Sequence, residues 1–149
     1  MVLARFEAYI FWSWDAVGFY ILAEKLCLPD LQDRIMDVLI EFFTKHPTRV
    51  NMEDILNIHN QTPTGSPSRK FMVRIFHWLS TTLYFIGLDM VWPVAVFQGL
   101  LSLHEDPAAD FMDLLRKGTI PECPCELNTC EFHCHAESEP CYKDRKASN

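Results

Sequence analysis

Seven side chains able to bind a metal or attack an electrophile crowd into nineteen residues: Cys123, Cys125, Cys130, His133, Cys134, His135 and Cys141. Zinc takes four such thiolate or imidazole donors in a tetrahedron. The spacing predicts Cys125, Cys130, His133 and Cys141 as the ligand quartet, with Cys123, Cys134 and His135 as substitutes. Cys123-x-Cys125 is tighter than the usual C-x2–4-C pair, and no second C-x-x-C follows. A solvated tail of reduced thiols is the other reading of these residues. A Cys130–His133 nucleophile would also need an orienting third group and an oxyanion hole. Nothing nearby supplies either, so no catalytic residue is assigned and the chain is read as non-enzymatic. Zinc is the one cofactor this pattern implies.

The elements that must position these residues are helical. The apolar residues Leu31, Ile35, Val38, Leu39 and Phe42 recur at helical spacing, with Asp33, Asp37 and Glu41 as a solvated opposite face. Pro29 opens that helix with Asp30 as its cap, and Pro47 closes it. Further helices are expected over 15–27, over 51–60 with Asn51 as cap, and from Ser66-Pro67 to about Ile86. The last two run over about 90–104 and 107–117, the latter ended by Gly118. No alternating strand pattern persists, so the fold class is all-α: about six helices in an irregular array over 1–117. Residues 118–149 form an acidic Cys/His-rich tail, disordered or metal-stapled, because it lacks the apolar residues for a core of its own.

Charge and hydropathy exclude several functions. A net charge of -7 argues against a nucleic-acid partner, which favours a basic face. The apolar stretch Leu83–Leu103 contains Asp89 and Gln98, and a central Asp costs about 2.5–3.5 kcal/mol on insertion scales. Two buried helices, with Asp89 capping the second, are therefore expected in place of a membrane span. No secretory signal is recognisable, so the expected location is intracellular, cytoplasmic or nuclear, with reduced cysteines. Cys27 reads as a small buried hydrophobe, and His59 and His77 as core or rim histidines. Arg69, Lys70 and Arg74 read as a solvated patch or as partners of the acidic face of the second helix. Phe11, Trp12, Trp14, Phe19 and Tyr20 form a candidate interaction patch, partly exposed and available to other proteins or to self-association.

Two blocks resemble a known family. Tyr20–Ile40, preceded by Phe6–Trp12, contains Ala23-Glu24-Lys25 and Leu28-Pro29-Asp30-Leu31-Gln32; Asn60–Val73 contains the turn Thr62–Ser66. Together they resemble the BTB/POZ domain proteins of fungi, where the BTB domain ends and its BACK-like helical extension begins. His133-x-His135 before Cys141 is similar to the Cys/His-bearing ends of some members. The resemblance covers about residues 6–86 and lacks the amino-terminal BTB core, as a fragment or truncated relative would. It implies a protein–protein adaptor of ubiquitin-ligase or transcriptional complexes, with a cullin-type scaffold as partner. The alternative is a small zinc-stabilised binding protein whose tail makes the functional contact.

Overall fold

The computed structural model describes residues 15–46, 49–86, 93–123 and 126–145. Every regular element among them is helical, and no strand occurs there. The first, α1 (Ala16–Lys25), starts where the Asp15 carboxylate accepts the Gly18 N–H at 2.8 Å. Its end is a complete Schellman turn. The Leu28 N–H reaches back to the Ala23 carbonyl and the Cys27 N–H to that of Glu24. Cys27 occupies the left-handed position, at φ +52°. It is exposed, which corrects its reading as a buried hydrophobe.

Pro29 then opens α2 (Pro29–Lys45). Leu28 holds the cap position without a side-chain bond, so Asp30 contributes as an acid of the first turn. The buried stripe runs through Ile35, Met36, Leu39, Ile40 and Phe43, whereas Leu31 is 40% exposed. It is thus rotated from the expected one, because α1 lies against this flank.

Asn51 caps α3 (Met52–Gln61) as expected, accepting the Asp54 N–H at 2.8 Å, an arrangement worth about 1 kcal/mol. The turn that follows feeds α4 (Pro67–Ile86). Ser66 caps it through its carbonyl, which accepts the Lys70 N–H at 3.2 Å, while its hydroxyl meets that of Ser68. Phe71, Met72, Val73, Ile75, Phe76 and Leu79 are all buried, making α4 the central helix. Next come α5 (Val94–Leu103) and α6 (Glu105–Arg116), hinged at His104; α6 begins before Pro107, and Gly118 follows it at φ +65°. The Asp89 cap lies outside the described residues. No helix among the described residues is long and apolar enough to cross a membrane.

The core is aromatic along the first half of α4. Phe76 meets Phe111 edge-on at 4.9 Å and Phe97 at 5.1 Å, while Phe71 stacks near Phe43 at 6.3 Å. On the Phe71 side the wall is completed by the tail, through a 3-10 helix (Thr129–Phe132) followed later by α7 (Tyr142–Arg145). Phe132 is fully buried with its ring edge-on to Phe71 at 5.4 Å.

Candidate metal centre

Local sequence folds the tail back on itself. The Asn128 side chain caps the 3-10 helix by accepting the Cys130 N–H at 3.1 Å. Phe132 points into the core, and the chain turns extended at His133. Cys141 returns at the start of α7 and is buried.

The result is a cluster of Cys130, His133, His135 and Cys141, whose donor atoms all lie within 4.8 Å of one another. Zinc–sulfur and zinc–nitrogen bonds set tetrahedral donor separations of roughly 3.3–3.8 Å, so about 1 Å of contraction would close the shell. His133 Nδ1 is already 3.6 Å from Cys141 Sγ. Three members of the predicted quartet are therefore assembled, with His135, one of the substitutes, as the fourth. Cys125 lies outside the described residues.

Both imidazoles are hydrogen-bonded on the nitrogen that turns away from the thiols. His133 Nε2 donates to Asp37 Oδ1 at 2.9 Å, which leaves the Nδ1 lone pair facing Cys141. His135 Nδ1 donates to the Ala136 carbonyl at 3.1 Å. Its Nε2 is buried and has no hydrogen-bond partner. A buried acceptor without a partner is costly, and a metal ion is the species that would satisfy this one. Burial and the neighbouring Cys141 thiol raise the Cys130 pKa, so metal entry would displace thiol protons.

The remaining substitutes drop out. Cys123 is disulfide-bonded, a departure from the expected set of reduced thiols. Cys134 turns away: its sulfur lies 4.0 Å from the Tyr20 hydroxyl. Burial, reinforced by Asp33, pushes its thiol up to about 12, so it stays protonated.

The surroundings of the cluster correct several expectations. Asp33 and Asp37 are not a solvated face. Asp33 accepts the Cys134 N–H at 2.6 Å; Asp37 takes His133, the Tyr142 hydroxyl and Lys143 Nζ, the last at 2.8 Å. Burial would raise the Asp37 pKa, but the hydrogen bonds from Lys143, Tyr142 and His133 outweigh it and hold the carboxyl low. Arg34 sits over the Tyr142 ring at 4.8 Å. Only Glu41 keeps the expected exposed position, paired with Lys45.

The basic trio also separates. Arg69 is buried and donates to the carbonyls of His59 and Thr62, with Asp106 at 3.4 Å. Arg74 pairs with Glu131 at 3.1 Å, and Lys70 is exposed. None of these contacts reaches α2. An open groove of about 500 Å³ beside Arg69 and Lys70 also holds Asp110, Asp113 and Glu131, and none of the four cluster residues lines it.

In the aromatic patch, Phe19 is 45% exposed but Tyr20 is fully buried, so Tyr20 belongs to the core and not to an exposed surface. Phe11, Trp12 and Trp14 lie outside the described residues. His59 is the satisfied core histidine expected, between the Ile55 carbonyl and Asp110, and His77 packs edge-on against Phe111.

Two participants escaped sequence reasoning. Phe132, set between two predicted ligands in a tail poor in large apolar residues, was a readable anchor. Asp37 carried no such signal, since its spacing equals that of any exposed acid. Comparison of the chain with family models, curated proteins and solved structures returns no match.

Proposed function

We propose that the chain is a non-enzymatic binding module whose tail is clasped onto a helical body by one structural zinc ion. Cys130, His133, His135 and Cys141 are its ligands. The observation that carries this reading is the convergence of two thiols and two imidazoles, each imidazole already oriented by an outward hydrogen bond. Four protein ligands fill a tetrahedral shell, which is the pattern of a structural and not a catalytic zinc site. Mixed sulfur and nitrogen donors suit zinc over hard cations, which prefer oxygen. Among the described tail residues only Phe132 and Cys141 are buried apolar groups, too little to order the segment without a further contribution. Structural zinc sites supply roughly 10–16 kcal/mol of apparent binding free energy in small peptides.

The test is elemental analysis of the purified full chain. One zinc per chain is expected, with cobalt substitution giving the visible bands of a tetrahedral two-sulfur site. Removing both thiols in the Cys130→Ser, Cys141→Ser variant abolishes those bands. A folded, metal-free chain that takes up neither ion overturns the reading.

An adaptor role, as the BTB resemblance implies, is the second reading of what the body does. It is favoured by an exposed apolar row around the α1–α2 corner: Phe19, Leu22, Leu26, Leu28 and Leu31 are each 40–58% exposed. Exposed apolar surface of this kind suits a protein partner. Recovery of a ligase scaffold in a pull-down, lost when Leu22 and Leu26 become Asp, is the expected result. Unchanged recovery from that variant removes this surface from the proposal.

A further inference from the structure

Resting on the zinc reading, we infer that metal loading controls a strap: with the ion bound, 126–145 closes over α2 and α4, and without it that segment lifts away. The ligands and the body contacts interleave along the tail. Glu131, which pairs with Arg74, follows Cys130 directly; Phe132, which fills the space beside Phe71, precedes His133. Cys134, whose N–H binds Asp33, stands between the two histidines. Tyr142 and Lys143, both on Asp37, follow Cys141. Each of these five contacts therefore lies within two residues of a ligand.

Such an arrangement transmits the state of the cluster to the docking surface. With zinc, the ligands share one centre and hold the contacts in register. Without it, the docked form keeps the buried, unpartnered His135 Nε2, a penalty that release to water relieves. The contacts outside the core are weak individually: Arg74–Glu131 and Lys143–Asp37 are partly exposed ion pairs. Release uncovers the Phe71 edge that Phe132 now covers, alongside the Asp33 and Asp37 carboxylates.

Hydrogen exchange on the full chain tests this, comparing the zinc-loaded protein, the same protein after chelation, and the chelated protein with zinc restored. The expected result is at least about tenfold faster exchange of the amides of 129–135 on chelation. Exchange in α3 and α6 stays unchanged, and restored zinc reverses the effect. The Cys130→Ser, Cys141→Ser variant, which keeps His135, should exchange in excess zinc like the chelated protein. Stoichiometric zinc with unchanged exchange on chelation overturns the strap but leaves the zinc reading intact. Loss of protection throughout α3 and α6 also overturns it, since the ion would then hold the whole fold. A chain that binds no zinc removes the zinc reading itself, and the strap with it.

Discussion

Asp37 Oδ1 accepts a hydrogen bond from His133 Nε2 at 2.9 Å, joining the second helix to the tail across 96 positions of sequence. The carboxylate fixes which imidazole nitrogen carries the proton, and so which one faces the thiols. Outer carboxylates of this kind typically contribute 10–100-fold to metal affinity. Asp37→Ala should therefore weaken zinc binding by about that factor, read by competition with a chromophoric chelator. Asp37→Asn, which keeps an acceptor oxygen, should lose less. Equal affinity in all three proteins would detach Asp37 from the site.

Phe132 is the tail's apolar anchor. Phe132→Ala leaves a cavity beside Phe71 and should destabilise the zinc-loaded chain by about 3–5 kcal/mol in urea unfolding. A loss below about 1 kcal/mol would mean that the tail contributes little to the core.

Cys27 holds a left-handed backbone conformation that costs a side-chain-bearing residue about 1–2 kcal/mol relative to glycine. The Schellman turn needs that conformation, and the thiol is exposed. Cys27→Gly should raise stability by about 1 kcal/mol, while Cys27→Val should lower it. Matched melting temperatures for both variants would contradict this.

Asp54 gives a pH dependence of definite sign. Burial, with smaller additions from Asp15 and Glu53, outweighs the opposing Asn51 backbone N–H and raises its pKa to about 6 from 3.8. Between these values the folded chain binds more protons than the unfolded one, so this group's contribution to stability falls as pH rises from about 4 to 6. Asp54→Asn should be more stable than the parent by about 1–2 kcal/mol at pH 7, after allowing for solvent screening, with the difference vanishing near pH 4. Protonation of the metal ligands affects both proteins alike and cancels in the comparison. A difference independent of pH would assign the effect to something other than this carboxyl.

Much of the body was legible because its signals are local. Asn51, Pro67 and Gly118 mark helix ends through their own backbone and side-chain chemistry, and α4 announces itself by its density of large apolar residues. The cluster was partly legible for the same reason: Cys130, His133 and Cys141 are close in sequence. Choosing His135 over Cys134 was not, because it depends on Cys134 being drawn toward Tyr20 and Asp33, far away in the chain. Asp33 and Asp37 looked like solvated acids because an acid awaiting a distant partner has the same spacing as one facing water. Arg69 misled in the same way, since its partners are carbonyls made available only by the turn before α4.

Because the tail follows the body in the chain, every surface it closes must exist before it arrives. During synthesis α2 and α4 pack while Phe71 still lacks its cover, and the ligands leave the ribosome only after the helices that orient them. On the zinc reading, metal capture therefore follows synthesis of the helices that orient its ligands. A zinc-starved cell would accumulate a body that is folded but unfinished, a form for quality-control factors to recognise.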